Sequence, residues 1–147
     1  MKVISCGFII HDDSRFLAGH VTGQDADTWS IPKGRMEPFE TYYTCAVREL
    51  LEETSIDLRT INPAEVETLG LFDYIPKKWL YLFSYKCNLS KLPELKCTSM
   101  VDKDGKRDWP EFDWFRFIPF ADAKKLVHRK IAQVIEDKFI GKTINGN

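Results

Sequence analysis

The chain has 147 residues, a formal net charge of -1 at pH 7, 44% hydrophobic residues and 29% charged residues. This composition is typical of a globular domain, so we expect a single domain over residues 1–147 with a sizeable core. The near-neutral charge argues against a large nucleic-acid surface, which would be strongly basic. No apolar run approaches the ~18 residues of a membrane span, and the start lacks the features of a signal peptide. We therefore expect a cytoplasmic protein without a membrane partner.

The four cysteines are spread along the chain without the Cys-x-x-Cys spacing of a zinc site. They are Cys6, Cys45, Cys87 and Cys97. In a cytoplasmic protein this spacing predicts reduced thiols and no disulfide framework.

The first part of the chain predicts two paired strands and a short extended segment. Residues Val3–His11 are rich in apolar side chains, which predicts a buried strand. Residues 12–14 predict a turn, and residues 15–20 predict the partner strand. Residues 29–34 predict an extended segment that runs into a second turn, marked by Pro32 and Gly34.

The next predicted element is a helix with an acidic face. Glu49, Glu52 and Glu53 are spaced i, i+3 and i+4, so at about 100° per residue they share one side of the helix. The opposite side carries Tyr43, Val47, Leu50 and Thr54 and is expected to pack in the core. Like charges this close destabilise a helix unless a cation offsets them. Mg²⁺, with Mn²⁺ as its usual substitute, prefers oxygen ligands and fits the face; a solvated acidic surface is the alternative.

The rest of the chain predicts further strands and a closing helical region. Residues 62–63 predict a break, and residues 66–72 and 79–87 are rich in aromatic and apolar residues that favour strands. A loop around residues 102–105 is expected to lead into a strand at residues 111–117. Pro119 predicts the start of the last helical region.

Residues 34–56 follow the sequence pattern of the Nudix box. That pattern is G-x5-E-x7-R-E-U-x-E-E-x-G-U, where U is a bulky apolar residue. The positions in register here are Gly34, Glu40, Arg48, Glu49, Leu50, Glu52, Glu53 and Ile56. The one departure is Ser55, which stands where the family has glycine. The chain thus resembles the Nudix hydrolases, and the resemblance implies an α/β fold, a Nudix-type α/β/α sandwich with a mixed β-sheet.

The resemblance also implies which groups bind the metal ion. The backbone carbonyl of Lys33 and the carboxylates of Glu49, Glu52 and Glu53 would bind Mg²⁺, or Mn²⁺ in its place. Arg48 would orient these acidic side chains, as an outer layer of polar contacts generally does at metal sites.

Two further positions of the box have expected structural roles. Glu40 would either pair with Arg48 or start the helix, where negative charge is favourable. Ser55 would end the helix in the left-handed conformation, at a cost of roughly 1 kcal/mol to stability. Because no metal ligand is missing, we interpret the box as competent.

Nudix enzymes often use a glutamate from the region after the box as a further metal ligand or as the general base. Glu111 is our candidate here and Asp113 is the second; a solvent-facing strand position is the alternative for both. The catalytic base is left open among Glu52, Glu53 and Glu111.

Residues outside the box would bind the substrate. Lys33 and Arg35 are candidates for neutralising a polyphosphate. Tyr74 lies near the position where dinucleoside polyphosphate hydrolases of the family carry a tyrosine, and Trp79 is a candidate for stacking on a base. The three histidines, His11, His20 and His128, are isolated along the chain and receive no catalytic role.

The predicted reaction is Mg²⁺-dependent hydrolysis of a pyrophosphate bond in a nucleoside diphosphate linked to another moiety. A dinucleoside polyphosphate, ADP-ribose or a similar small nucleotide would be the substrate. One alternative is a pyrophosphohydrolase acting on RNA 5′ ends, which predicts a basic groove leading to the site. The other is a catalytically inactive nucleotide-binding Nudix module, for which Ser55 is the only sequence support. The sequence is silent on oligomeric state, and a homodimer is compatible with it.

Overall fold

The computed structural model describes residues 2–103 and 106–141, and it describes side chains outside residues 101–108. Within these ranges the strands are β1 (Val3–His11), β2 (Arg15–Val21), β3 (Trp29–Ser30), β4 (Lys33–Arg35), β5 (Val66–Ile75), β6 (Lys78–Lys86), β7 (Met100–Lys103), β8 (Lys106–Pro110) and β9 (Phe112–Pro119). The α-helices are α1 (Tyr42–Thr54), α2 (Ala123–Leu126) and α3 (Arg129–Ile135), and α3 continues into a π-helical turn at Glu136–Ile140.

Seven of these strands form one mixed sheet. Its order is β3-β2-β1-β6-β5, with β4 paired to β1 and β9 paired to β2. β1 and β6 run parallel, with Val3 opposite Lys78 and His11 opposite Lys86, whereas the other pairs are antiparallel. β4 lies against residues 5–7 of β1. The turn that begins the Nudix box is therefore hydrogen-bonded to the central strand of the sheet.

Helices cover both faces of the sheet. Successive side chains of a strand point to opposite faces. Accordingly, Phe8 and Ile10 of β1 pack in the same cluster as Leu50 of α1. Ile9 packs in the other cluster with Ile135 of α3. The α/β/α sandwich with a mixed sheet that the resemblance implied is confirmed.

The structure confirms most of the predicted elements and corrects one of them. The strands predicted at residues 3–11, 15–20, 66–72, 79–87 and 111–117 correspond to β1, β2, β5, β6 and β9. The loop predicted around residues 102–105 is wrong at its start, because residues 102 and 103 belong to β7, which pairs with β8. Residues 104–105 lie outside the described residues. No helix in the described part of the chain is long and apolar enough to cross a membrane.

Candidate active site

Both ends of α1 are fixed by specific caps. At the start, the Thr41 hydroxyl accepts a hydrogen bond from Thr44 N (3.1 Å), and Thr41 N donates to Thr44 Oγ1 (2.9 Å). At the end, Ser55 has φ 71° and ψ 9°, the left-handed conformation expected for it, and its N–H donates to Leu51 O. The Ser55 hydroxyl also donates to Lys96 O at 2.7 Å. This hydrogen bond, which glycine could not make, offsets part of the strain of a non-glycine residue at this position.

Arg48 connects the acidic residues of the box. Its guanidinium donates to both carboxylate oxygens of Glu40, at 2.8 and 2.9 Å. Nη1 donates to Glu49 Oε1 at 2.8 Å and to Glu52 Oε2 at 3.2 Å, and Nη2 donates to Arg35 O at 3.1 Å. Hydrogen bonds from Arg48 lower the pKa of Glu40. Of the two expectations for Glu40, the structure shows the pairing with Arg48, while the helix itself begins after the Thr41 cap.

Two carboxylates on the predicted acidic face are buried against the β4 turn. Only 7% of Glu49 and 2% of Glu53 is exposed to solvent. Glu53 Oε1 accepts a hydrogen bond from Lys33 N at 2.9 Å. Burial raises the pKa of Glu49 to about 7, even though Arg48 acts in the opposite direction. Burial also raises the pKa of Glu53, and the neighbouring Glu111 carboxyl group adds to the effect.

The box glycine allows the helix carboxylate to approach the turn closely. A Cβ atom built on Gly34 would overlap the carboxylate of Glu49. Gly34 cannot move away easily, because it pairs with Cys6 of the central strand. The solvated-surface alternative therefore does not describe Glu49 and Glu53, which face the turn rather than open water.

Glu111 reaches this cluster from the junction between β8 and β9. Its backbone N–H donates to Ser99 O at 2.9 Å, and its carbonyl accepts from Thr22 N at 3.1 Å. Its carboxyl group acts on that of Glu53, whose pKa it helps to raise. Asp113, the second candidate, instead bonds to Nδ1 of His20 at 2.6 Å. The structure thus brings Glu111, but not Asp113, to the acidic cluster.

The donor set of this cluster fits a hard divalent cation. Glu49, Glu52, Glu53 and Glu111 supply only oxygen atoms, the ligands that Mg²⁺ and Mn²⁺ prefer. Of these four carboxylates the Arg48 guanidinium contacts Glu49 and Glu52, so a cation would supply the further positive charge that the buried carboxylates require. In the ranges described here, no three acidic, histidine or cysteine side chains already converge as a metal site. Arg48 Nη1, within 3.2 Å of both Glu49 and Glu52, stands between two of the candidate ligands.

Two clefts open beside the acidic cluster and share Gly34, Arg35 and Glu111. The first, which we name the Tyr74 cleft, has a volume of about 680 Å³, and its lining includes the aromatic and basic residues Trp29, Lys33, Tyr74, Lys125 and His128 and the acids Asp27, Glu53 and Glu111. The second, which we name the Phe39 cleft, has a volume of about 950 Å³ and is lined by Lys2, Met36, Phe39, Arg48, Glu49 and Glu52. The carboxylates therefore lie between two separate spaces for a ligand.

Three of the four predicted substrate-binding residues line these clefts. Lys33 Nζ lies 5.0 Å from the centre of the Tyr74 ring, a cation–π distance, and both residues line the Tyr74 cleft. Arg35 lines both clefts. Trp79 is not among the described residues that line either cleft. Its Nε1 donates to Asp73 at 3.1 Å, and Lys2 Nζ lies 4.7 Å from the centre of its ring.

The structure adds one histidine that the sequence reasoning passed over. His128 lines the Tyr74 cleft, and its ring centre lies 4.6 Å from that of Tyr74. Its Nδ1 accepts from Lys130 N and caps α3. A lone histidine carries no sequence signature, but its position in the basic run from residue 124 to residue 130 was a usable signal for a phosphate-facing surface.

Comparison with known proteins identifies the family. The model of the NUDIX domain matches residues 1–138. The chain is 33% identical over 149 aligned positions to an uncharacterized 17.7 kDa protein of Enterobacteria phage T4, covering 95% of this chain and 97% of the phage protein. It is 28% identical over 116 positions to an RNA pyrophosphohydrolase of Nitratiruptor sp., covering 73% of each.

A solved structure shows the same fold. A C. elegans Ap4A hydrolase superimposes with a TM-score of 0.61 at 18% identity, and 99% of each chain is covered. The family match spans nearly the whole chain and includes the box whose helix, turn and arginine are described above. This chain belongs to the Nudix family of pyrophosphohydrolases.

Proposed function

We propose that the protein hydrolyses a pyrophosphate bond in a nucleoside diphosphate linked to another moiety, with Mg²⁺ or Mn²⁺ bound at the acidic cluster. The observation that carries this proposal is the position of the buried carboxylates between two clefts. A substrate with a bulky group on each side of its polyphosphate would place the scissile bond at the carboxylates and one group in each cleft. A nucleoside triphosphate would fill only one of them.

The metal ligands in this proposal are the carboxylates of Glu49, Glu52 and Glu53 and the backbone carbonyl of Lys33. When bound, the metal ions would lower the pKa of an attacking water and neutralise the phosphates. Arg48 fixes the direction in which Glu49 and Glu52 point, because both accept from the same guanidinium nitrogen. The N–H of Lys33 fixes Glu53.

Glu111 is the residue we favour as general base. It lines both clefts, so its carboxylate faces the region where they meet. Its backbone is held by Ser99 and Thr22, which gives the side chain a defined starting position. Glu53 and Glu52 are the remaining candidates for this role.

The Tyr74 cleft supplies groups suited to a nucleotide. Lys33, Arg35 and Lys125 place positive charge beside the carboxylates, where phosphate oxygens would lie. Tyr74 and Trp29 offer ring faces for a base. A dinucleoside polyphosphate, ADP-ribose or a similar small nucleotide satisfies this arrangement.

One observation favours a second candidate substrate, the 5′ end of RNA. The Tyr74 cleft has the basic lining that this alternative predicts, with Lys33, Arg35, Lys78 and Lys125 among its residues. The similarity to the RNA pyrophosphohydrolase of Nitratiruptor sp. points the same way. RNA would need further basic surface beyond the cleft, and the net charge of -1 gives no general support for it.

The test is a substrate panel run with Mg²⁺ and then with Mn²⁺. It contains ADP-ribose, dinucleoside polyphosphates, nucleoside triphosphates and 5′-triphosphorylated RNA, with products resolved by chromatography. The Glu52→Gln/Glu53→Gln variant should lose activity, because glutamine keeps the shape and removes the charge. Glu67→Gln, an exposed position on β5, is the matched control and should keep it. Binding of nucleotide without cleavage by the wild type would instead support the inactive-module alternative.

A further inference from the structure

Phe39 is an exposed aromatic residue in a strained backbone conformation. It lies between β4 and α1, its φ is 70°, and 106% of its reference surface is exposed. A bulky side chain rarely adopts a positive φ, and glycine is the usual residue there. Exposing a phenyl ring to water is also unfavourable. Core packing therefore gives no reason for phenylalanine at this position.

The turn that carries Phe39 is firmly held. Glu37 N donates to Glu40 Oε1 at 2.8 Å, and Glu40 N donates to Glu37 O at 3.2 Å. Arg48 binds both carboxylate oxygens of Glu40, the residue next to Phe39. The ring is thus presented by a rigid turn. Strained residues that the surrounding structure holds in place concentrate at functional sites.

The ring lies at the mouth of the site and not at a remote surface. Phe39 lines the same cleft as the carboxylates of Glu49 and Glu52. Arg35 and Lys2 line this cleft as well; Arg35 can face phosphate oxygens, whereas Lys2 Nζ pairs with Asp73 Oδ1 at 3.1 Å. A ligand that extends from the carboxylates into this cleft would therefore meet basic groups and then an exposed aromatic face.

We propose that Phe39 is a stacking platform for a second nucleobase, on the far side of the pyrophosphate from the group bound in the Tyr74 cleft. This inference rests on the proposed function and narrows its substrate class to molecules with a base at both ends. A base is the partner that fits, because a phenyl ring offers no hydrogen bond but stacks on any base. The same chemistry occurs in free dinucleoside polyphosphates and at the capped 5′ end of RNA.

The experiment compares a two-base substrate with a one-base substrate. We measure kcat/KM for diadenosine tetraphosphate and for ADP-ribose with the wild type, Phe39→Gly, Phe39→Leu and Phe39→Trp. Base stacking of about 1–3 kcal/mol corresponds to a loss of roughly 5- to 150-fold for the two-base substrate in the glycine variant. The loss for ADP-ribose should be less than threefold. Tryptophan should retain activity and leucine should not.

Stability measurements separate stacking from a structural role. Glycine relieves the strain of the positive φ, so the melting temperature of Phe39→Gly should equal that of the wild type or exceed it by a few degrees. Its kcat/KM for the two-base substrate should nevertheless fall. Trp114→Ala is the matched control, because Trp114 is 71% exposed and lies outside the described lining of both clefts. This variant should keep the wild-type kcat/KM for both substrates.

Several outcomes would overturn the inference. One is an equal fall in kcat/KM for both substrates in Phe39→Gly, which would mean that Phe39 only shapes the carboxylate site. Another is an unchanged kcat/KM for both. If the wild type cleaves neither, the proposed function fails, and calorimetric affinities decide the inference. A preference for diadenosine tetraphosphate that Phe39→Gly abolishes would support it, and equal affinities would refute it. If Phe39→Gly lowers kcat/KM for a capped RNA oligonucleotide more than for the free dinucleotide, the base that stacks on Phe39 belongs to RNA.

Discussion

Removing the Arg48 guanidinium should be among the most damaging single changes outside the apolar core. Arg48→Gln deletes the paired hydrogen bonds to Glu40 and the hydrogen bond to Glu49. The Arg48 side chain is 25% exposed, and those of Glu40 and Glu49 are 15% and 10% exposed. The perturbation therefore leaves two largely buried carboxylates without their cation.

The expected loss follows from these contacts. Removing one partner of a fully buried ion pair costs about 3–5 kcal/mol, and exposed pairs contribute about 0–1 kcal/mol. Because Arg48 is a quarter exposed and the Glu52 side chain is 41% exposed, we expect a loss of about 3 kcal/mol in the free energy of unfolding. For a domain of this size that corresponds to a fall of about 10 °C in melting temperature. Hydrolysis should also slow, because Glu49 and Glu52 lose the group that orients them.

Urea unfolding followed by tryptophan fluorescence, in EDTA so that no metal replaces the lost charge, measures this effect. Arg59→Gln is the matched control, because Arg59 also forms paired hydrogen bonds with a carboxylate, that of Asp57, but is 65% exposed. It should leave stability unchanged. A loss below about 1 kcal/mol for Arg48→Gln, or one no larger than the control's, would refute the reasoning.

Three further predictions concern single positions. Gly34→Ala should reduce kcat by about 100-fold while the circular dichroism spectrum stays that of the wild type, because the added methyl group displaces the Glu49 carboxylate. A wild-type kcat in this variant would show that the turn adapts and would refute the prediction. Ser55→Ala should lose about 1 kcal/mol of unfolding free energy in chemical denaturation, because it removes the hydrogen bond to Lys96. Ser55→Gly should stay near the wild type, because glycine relieves the left-handed strain as it removes the same hydrogen bond. A glycine variant less stable than the alanine variant would contradict this. The Asp25 carbonyl and the Asp113 carboxylate raise the pKa of His20 above 6.5, so its stabilising effect is complete below pH 6.5 and is lost as pH rises through the higher folded-state pKa. The stability gap between wild type and His20→Gln should accordingly be larger at pH 6 than at pH 9, and an unchanged gap would exclude a charged histidine.

The sequence predicts those parts of the fold whose signal is local. The apolar run of β1 and the i, i+3, i+4 spacing in α1 are short-range patterns. β3 and β4, with two and three residues, show no periodicity, and their extended conformation comes from pairing with β2 and β1. The parallel pairing of β1 with β6 joins segments far apart in the chain, so no local pattern contains it.

The same distinction applies to the site. The box helix places Glu49, Glu52 and Glu53 by its own geometry, whereas the approach of Glu111 depends on backbone hydrogen bonds to Ser99 and Thr22, which are distant from the box in the chain. Trp79 lies outside the described lining of both clefts, and the sequence could not show this for a different reason. An aromatic residue in a strand pattern does not reveal its neighbours, and here they are Lys2 and Asp73.

The two clefts differ in whether the segments that line them also hold Arg48 in place. The lining of the Tyr74 cleft includes residues 29–30 of β3, Tyr74 of β5 and residues 125–128, none of which is hydrogen-bonded to Arg48. The Phe39 cleft is lined by the loop that also carries Glu40, the main partner of Arg48. Substitutions can therefore change the group accepted in the first cleft while the chemistry stays intact. In the second cleft, a change of preference risks the catalytic machinery itself, so evolution would be freer to alter one end of the substrate than the other.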